Sequence, residues 1–213
     1  MKQLYIEKLK RINSKTPINE LTFLLDNVNR NVLNQVPWGH YNYCPAVEFA
    51  IAYAPDFIFL KYYVTEKSIR GVNNDINSAV WEDTCVEFFI SFDEEKTYYN
   101  LEFNCIGTAR VGYGVAKNDR ELLPVQLVSQ IKYHSVISNN LPTHDIHWEL
   151  TLSIPKNLFC FNKVKTFKGK KCRANFYKCG DNLPIPHFIT WSGIKSATPD
   201  FHLPEFFGSL HFV

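Results

Sequence analysis

Val86-Glu87-Phe88-Phe89-Ile90-Ser91-Phe92, followed after a short polar break by Tyr99-Asn100-Leu101-Glu102-Phe103-Asn104, decides the fold class. On an extended chain successive side chains point to opposite faces, so Val86, Phe88, Ile90 and Phe92 share one face while Glu87, Phe89 and Ser91 share the other. The second run repeats the pattern, with Tyr99, Leu101 and Phe103 against Asn100, Glu102 and Asn104. Two adjacent segments of period two read as paired strands with one greasy and one polar face.

Working outward, Val47–Tyr53 and Phe57–Val64 flank the turn Ala54-Pro55-Asp56 and read as a hairpin. Downstream, Trp148, Leu150, Leu152 and Ile154 alternate with Glu149, Thr151 and Ser153 until Pro155 ends the strand. Arg173, Asn175 and Tyr177 alternate with Ala174 and Phe176. Strands at this spacing, separated by Gly, Pro, Asn and Asp, predict an all-β fold: a two-sheet antiparallel β-sandwich of jelly-roll type. Ahead of it, Thr16-Pro17 followed by Leu21, Leu24, Leu25, Val28 and Val32 carries a helix-start signal and near-helical apolar spacing. The expected organisation is an N-terminal extension over 1–37, with a short helix packed on the body, and the sandwich over 38–213. Trp148 is expected to be structural.

A chain of 213 residues, 46% hydrophobic and 15% aromatic, is long enough to bury a large single core. The net charge of +2 comes from 23 basic and 21 acidic residues mixed along the chain, which argues against a nucleic-acid partner. No apolar run approaches a membrane span. Charges at Lys2, Glu7, Lys8, Lys10 and Arg11 leave no signal peptide visible, so the chain is cytoplasmic if Met1 is native and extracytoplasmic if a leader was removed. Six irregularly spaced cysteines read as free, mostly buried thiols. The tightest metal-ligand grouping in the sequence, Cys172, Cys179, Asp181 and His187, has weak spacing, and no metal is assigned to it.

The polar row Glu87, Asn100, Glu102 and Asn104 has two readings. Alternation alone favours a solvated outer face. The other reading is a sugar-binding face, which needs aromatic rings to stack on a pyranose and polar groups to pair with its hydroxyls. Trp81, in the loop Asn77–Asp83, and Phe201, in a loop stiffened by Pro199 and Pro204, could supply the rings.

The run Trp81-Glu82-Asp83-Thr84-Cys85-Val86-Glu87-Phe88-Phe89-Ile90 resembles a block of carbohydrate-binding module family nine and related DOMON-type sandwiches. The Ile154-Pro155 strand end and the closing Ile189-Thr190-Trp191-Ser192 and Pro204-Glu205-Phe206-Phe207-Gly208-Ser209-Leu210 resemble the same family, in order over roughly 38–213. The resemblance implies non-catalytic carbohydrate binding. By position, Trp81 matches one clamp wall, Glu87 an acidic hydroxyl-binding residue and Phe201 the second aromatic, in place of a Trp. Asn100 falls where the family can use an arginine, a departure that changes the donors on offer. Ligand-binding roles are thus expected at Trp81, Glu87, Asn100, Glu102 and Phe201. The implied partner is a mono- or oligosaccharide, with a glycan-degrading enzyme alongside in polysaccharide utilisation. No cofactor is required, and the resemblance leaves room for a structural calcium whose oxygen ligands the sequence does not identify.

Competing readings are a glycoside hydrolase using Glu87 and Glu102, a heme-binding DOMON-like domain relying on His187 or His202, a Cys179 nucleophile paired with His187 or His202, and a protein-interaction module.

Overall fold

The computed structural model describes residues 2–10, 12, 15–140 and 144–213, the side chain of Asn140 excepted. In chain order the first half runs β1 (Gln3–Lys8), α1 (Ile18–Leu25), β2 (Asn31–Leu33), β3 (Ala46–Ala54), β4 (Phe57–Glu66), β5 (Cys85–Ser91) and β6 (Tyr98–Asn104). The second half runs β7 (Ala109–Ala116), β8 (Asp119–Leu122), α2 (Val125–Val128), β9 (Lys132–Asn140), β10 (Asp145–Pro155), β11 (Lys171–Cys179), β12 (Phe188–Thr190) and β13 (Gly208–Phe212).

The strands form two layers. The front layer has the order β8-β7-β6-β5-β11-β13, and the back layer β3-β4-β10-β9, with β2 on β3 and β12 on β11. The expected all-β sandwich is what folds, and the Val47–Tyr53 and Phe57–Val64 segments pair as the expected hairpin. The sequence pattern did not reveal β1. It pairs in parallel with β13 through Gln3–Ile6 and with β3 through Glu7 and Lys8, so one strand belongs to both layers and makes the sheet mixed. Residues 3–8 are therefore built into the sandwich.

The greasy faces meet between the layers. Val86, Phe88, Ile90, Tyr99, Leu101, Phe103 and Phe176 from the front pack against Val47, Phe49, Ile51, Leu60, Leu150 and Leu152 from the back. The Phe49 and Phe176 rings stack at 3.9 Å, and the Tyr62 hydroxyl donates to the Glu87 carbonyl at 2.7 Å, which ties the layers together directly behind the polar row. Helix α1 lays Leu21 and Leu25 on Ala52, Ala54 and Phe59 of the outer back face, as its spacing predicts.

Trp148 is buried, and its indole N–H donates to Glu66 Oε1 at 2.6 Å. The other Glu66 oxygen pairs with the fully buried Lys178 ammonium at 3.1 Å, which also donates to the Cys179 carbonyl at 2.9 Å and to His187 Nε2 at 2.7 Å. All six cysteines are free, four of them buried, while Cys44 and Cys160 are exposed. No helix among the described residues is long and apolar enough to cross a membrane.

Candidate functional site

The polar row is where the structure departs most from alternation. Every residue of β5 and β6 is buried, including Glu87 and Glu102 at 3% exposure and Asn100 and Asn104 at 0%. The face is not solvated, because a second apolar cluster covers it: Trp38, Val80, Phe89, Tyr98, Tyr177, Ile194, Phe201 and Phe207. Loop and turn residues distant in sequence supply five of these eight, which a period-two pattern cannot report.

Strand register lines up the site across four strands. Tyr177 on β11 lies opposite Glu87 on β5, Glu87 opposite Glu102 on β6, and Glu102 opposite Arg110 on β7. Two carboxyls thus stand side by side on one floor. Above them lies a cavity of about 190 Å³ lined by Trp81, Glu87, Glu102, Lys117, Arg120, Cys179, Asp181, Phe188, Pro199, Asp200, Phe201 and His202.

Trp81 sits on a single 3-10 turn, Val80–Glu82, held from both sides. Beneath it the buried Asp83 carboxylate accepts from the backbone N–H of Val72 and Asn73 and from the Asn104 amide, and pairs with Arg70. From the turn after β11, Asp181 N–H donates to the Trp81 carbonyl at 3.2 Å and Asn182 N–H to the Glu82 carbonyl at 3.1 Å. The Arg110 guanidinium lies 4.7 Å from the Trp81 ring centre, a cation-π contact that fixes the half-buried indole without covering it. Across the cavity, the Phe201 ring stacks on Tyr177 at 4.2 Å, and the Tyr177 hydroxyl donates to the Phe201 carbonyl. Phe201 is 8% exposed, so it offers an edge where Trp81 offers a larger surface.

Of the five residues singled out in the sequence, Trp81, Glu87, Glu102 and Phe201 line this cavity, and Asn100 does not reach it. Asn100 is wholly buried behind Glu102, to whose Oε1 its amide donates at 2.6 Å. Its contact places it as a support for that carboxyl. A guanidinium does line this cavity, that of Arg120, from the short edge strand β8. Arg120 crosses over Gly112: a Cβ there would lie 2.5 Å from Asn100 Oδ1 and 3.3 Å from Arg120 Cδ. Gly114, its register partner, permits the same close approach. The Arg120 tip lies 3.7 Å from Glu102 and 3.0 Å from the His202 ring, which also contacts the Tyr98 hydroxyl at 2.9 Å. Two glycines alternating along β7 were the signal for this crossing.

Burial sets the charge states. It pushes Glu102 up to about 6, against the pull of Arg120 and Arg110, and raises Glu87 well above the carboxylate range, with the Glu102 charge adding to the effect. Asp181 rises to about 6, again mainly through burial. Burial and the Arg120 charge press His202 down to about 2, so it is a neutral hydrogen-bonding ring.

Several sequence candidates separate in space. Cys172 faces the inter-layer core while Cys179 faces the cavity side, so the grouping with Asp181 and His187 does not assemble. The Cys179 thiol donates to Glu87 Oε1 at 3.1 Å rather than to either histidine. His187 is engaged by Lys178 and the Ile185 carbonyl, and His202 by Tyr98 and Arg120, so neither ring has a nitrogen free for an iron.

Comparison with known proteins adds four findings. The model of carbohydrate-binding family 9 matches residues 19–212. A crystal structure of a candidate carbohydrate-binding protein from Bacteroides uniformis is 36% identical, with a TM-score of 0.92 over 100% of this chain and 99% of that one. Two structures of a family 9 carbohydrate-binding module from Caldicellulosiruptor kristjanssonii share the fold at 11% identity. The complex with cellotriose has a TM-score of 0.62 over 99% of this chain and 93% of that one, and the complex with glucose 0.60 over 100% and 96%. No curated protein matches the sequence at a significant level.

Proposed function

The chain belongs to carbohydrate-binding family 9, and we propose that it holds a sugar ring, without chemistry of its own, in the cavity between Trp81 and Phe201. The observation that carries this reading is Glu102 Oε2, a buried acceptor with no hydrogen-bond partner among the described residues, at the floor of a cavity walled by aromatic rings. A buried acceptor left unpaired costs about 1–3 kcal/mol, and a ligand hydroxyl would relieve it. Trp81 stacks on the sugar and Phe201 closes the opposite edge. Glu102 and Glu87 accept from hydroxyls, Arg120 donates, and Asn100 keeps Glu102 in place. Lys117, Asp181 and Asp200 stand where they can contact a second ring or solvent. The volume lies below that of sites for drug-sized ligands, which favours one ring inside and any further rings outside.

The glycosidase reading uses the same carboxyls. An acid and a base, or an acid and a nucleophile, must flank the scissile bond from opposite sides. Glu87 and Glu102 instead stand abreast on adjacent strands, which suits hydroxyl binding. A partnership with a glycan-degrading enzyme would follow from binding alone.

The test is calorimetric titration with glucose and cellotriose, the ligands of the Caldicellulosiruptor kristjanssonii complexes, followed by a glycan array. Saturable binding that Glu102→Gln weakens is the expected outcome, with no reducing-sugar release by the wild-type chain. Silence across titration and array would reject the proposal in favour of a protein-interaction role.

A further inference from the structure

Beside the carboxyl pair lies a grouping that stacking and hydroxyl recognition leave unexplained. Cys85 and Cys179 are register partners on β5 and β11, so their thiols project side by side toward the cavity floor. Glu87 stands two positions along β5 on the same face. One ligand atom from each of Cys85, Glu87 and Cys179 lies within 4.8 Å of the others, and all three side chains are buried. Among the described residues no other three His, Cys, Asp or Glu side chains converge in this way.

The charge balance of this cluster is unusual. Glu87 makes no ion pair among the described residues, and its one side-chain donor is a thiol, a weak one. Burial holds the Cys85 proton on, up to about 12, and the hydrogen bond between Cys179 and Cys85, in which Cys179 keeps its proton, raises Cys179 together with burial. Two thiols and a carboxyl, all buried, thus stand together next to a cavity that Cys179 and Glu87 themselves line.

We propose that Cys85, Cys179 and Glu87 bind a soft divalent cation of the Zn²⁺ class, with its fourth position turned toward the cavity. Two sulfurs and one carboxylate oxygen suit a tetrahedral ion of this kind. They do not suit calcium, which takes six to eight oxygens, so this cluster is not the structural calcium site the family resemblance leaves room for. Bonds of roughly 2.3 Å to sulfur set tetrahedral ligands under about 4 Å apart, a modest contraction reachable by side-chain rotation. Binding exchanges one dication for the two thiol protons and the Glu87 proton, which leave to solvent. The dication offsets two of the three negative charges that this creates, and the Arg120 charge, which already acts on Glu87, offsets part of the third. This inference does not depend on the sugar reading, since the thiols alone report it.

The reduced 213-residue chain is titrated with Co²⁺ under anaerobic conditions and followed by absorption. Stoichiometric thiolate-to-cobalt charge-transfer bands with the visible bands of tetrahedral Co²⁺, bleached by added Zn²⁺, are expected. The bands should vanish in Cys85→Ser and Cys179→Ser and persist in the Cys44→Ser/Cys160→Ser double variant, which removes both exposed thiols. Should the serine variants fail to fold, alkylation of the wild-type chain read by peptide mass spectrometry gives a second measure, with Zn²⁺ expected to protect Cys85 and Cys179 together. No thiolate bands in the reduced wild-type chain, bands that depend on Cys44 and Cys160 alone, or labelling of Cys85 and Cys179 that Zn²⁺ leaves unchanged would overturn the proposal.

Discussion

Replacing Lys178 by methionine removes a charge from the interior while keeping most of its volume. The ammonium is wholly buried and sits 3.1 Å from Glu66 Oε2, 2.7 Å from His187 Nε2 and 2.9 Å from the Cys179 carbonyl. Without it, Glu66 retains the Trp148 indole N–H and, 3.8 Å away, the neutral His187 ring, and its carboxylate loses its lysine counter-ion. Breaking a buried pair on one side costs about 3–5 kcal/mol. For a chain of this length each kcal/mol shifts the melting temperature by about 2–4 °C, so Lys178→Met should melt about 6–20 °C below the wild type. Glu66→Gln keeps an acceptor for Trp148 and removes the orphaned charge, so the Glu66→Gln/Lys178→Met double variant should be more stable than the summed single losses predict, by about 0.5–3 kcal/mol. Urea unfolding of the four proteins, with a common m-value, measures this coupling. A Lys178→Met loss under about 1 kcal/mol, or strict additivity in the cycle, would refute the view that Lys178 balances a charge buried at Glu66.

Three further outcomes are expected. Trp81→Ala should weaken sugar binding by about 1–3 kcal/mol, roughly 5- to 150-fold, with little change in urea midpoint because the half-buried ring leaves the main core intact; unchanged affinity by calorimetry would remove Trp81 from the site. Gly112→Ala should push Asn100 and Arg120 apart, lowering stability by about 1–3 kcal/mol and sugar affinity with it; a crystal structure with both side chains unmoved would contradict the crossing argument. His187 is held neutral down to about 3, chiefly by burial and then by the Lys178 charge, whereas the unfolded chain takes up its proton near 6.5. The unfolded state therefore binds more protons in this window, and stability falls as the medium is acidified by about 1.4 kcal/mol per pH unit per such group. Between pH 7 and about pH 5, His187→Gln should lose about 2 kcal/mol less than the wild type, as read from urea midpoints.

The strands that build the front layer were legible because period two in Val86–Ile90 and Tyr99–Phe103 has a single physical cause, an apolar face against a core. Helix α1 was legible for the same reason at its own period. The burial of the opposite face was not. Glu87, Asn100 and Glu102 read as solvent-facing because local alternation carries no record of a lid assembled from residues near 38, 81 and 201. Strand β1 was missed because its ends serve two different neighbours, so only Ile6 among its six residues is fully buried and no alternation develops. Arg120 was missed because β8 is short, polar and at an edge, and only its crossing of Gly112 and Gly114 gives it a place in the site. The thiol and carboxyl cluster joins positions 85 and 179, which only strand register can bring together.

The shared strand β1 also has a consequence for how this domain tolerates shortening. Its backbone groups satisfy Ser209–Phe212 on one side and Ala52 and Tyr53 on the other. A chain trimmed to begin after residue 8 would bare two ladders at once, one on each layer, with no bulge or proline to discourage a visitor. Such a molecule would keep its sugar-side residues yet invite neighbouring copies to donate the missing strand, trading a solitary domain for swapped pairs or fibres.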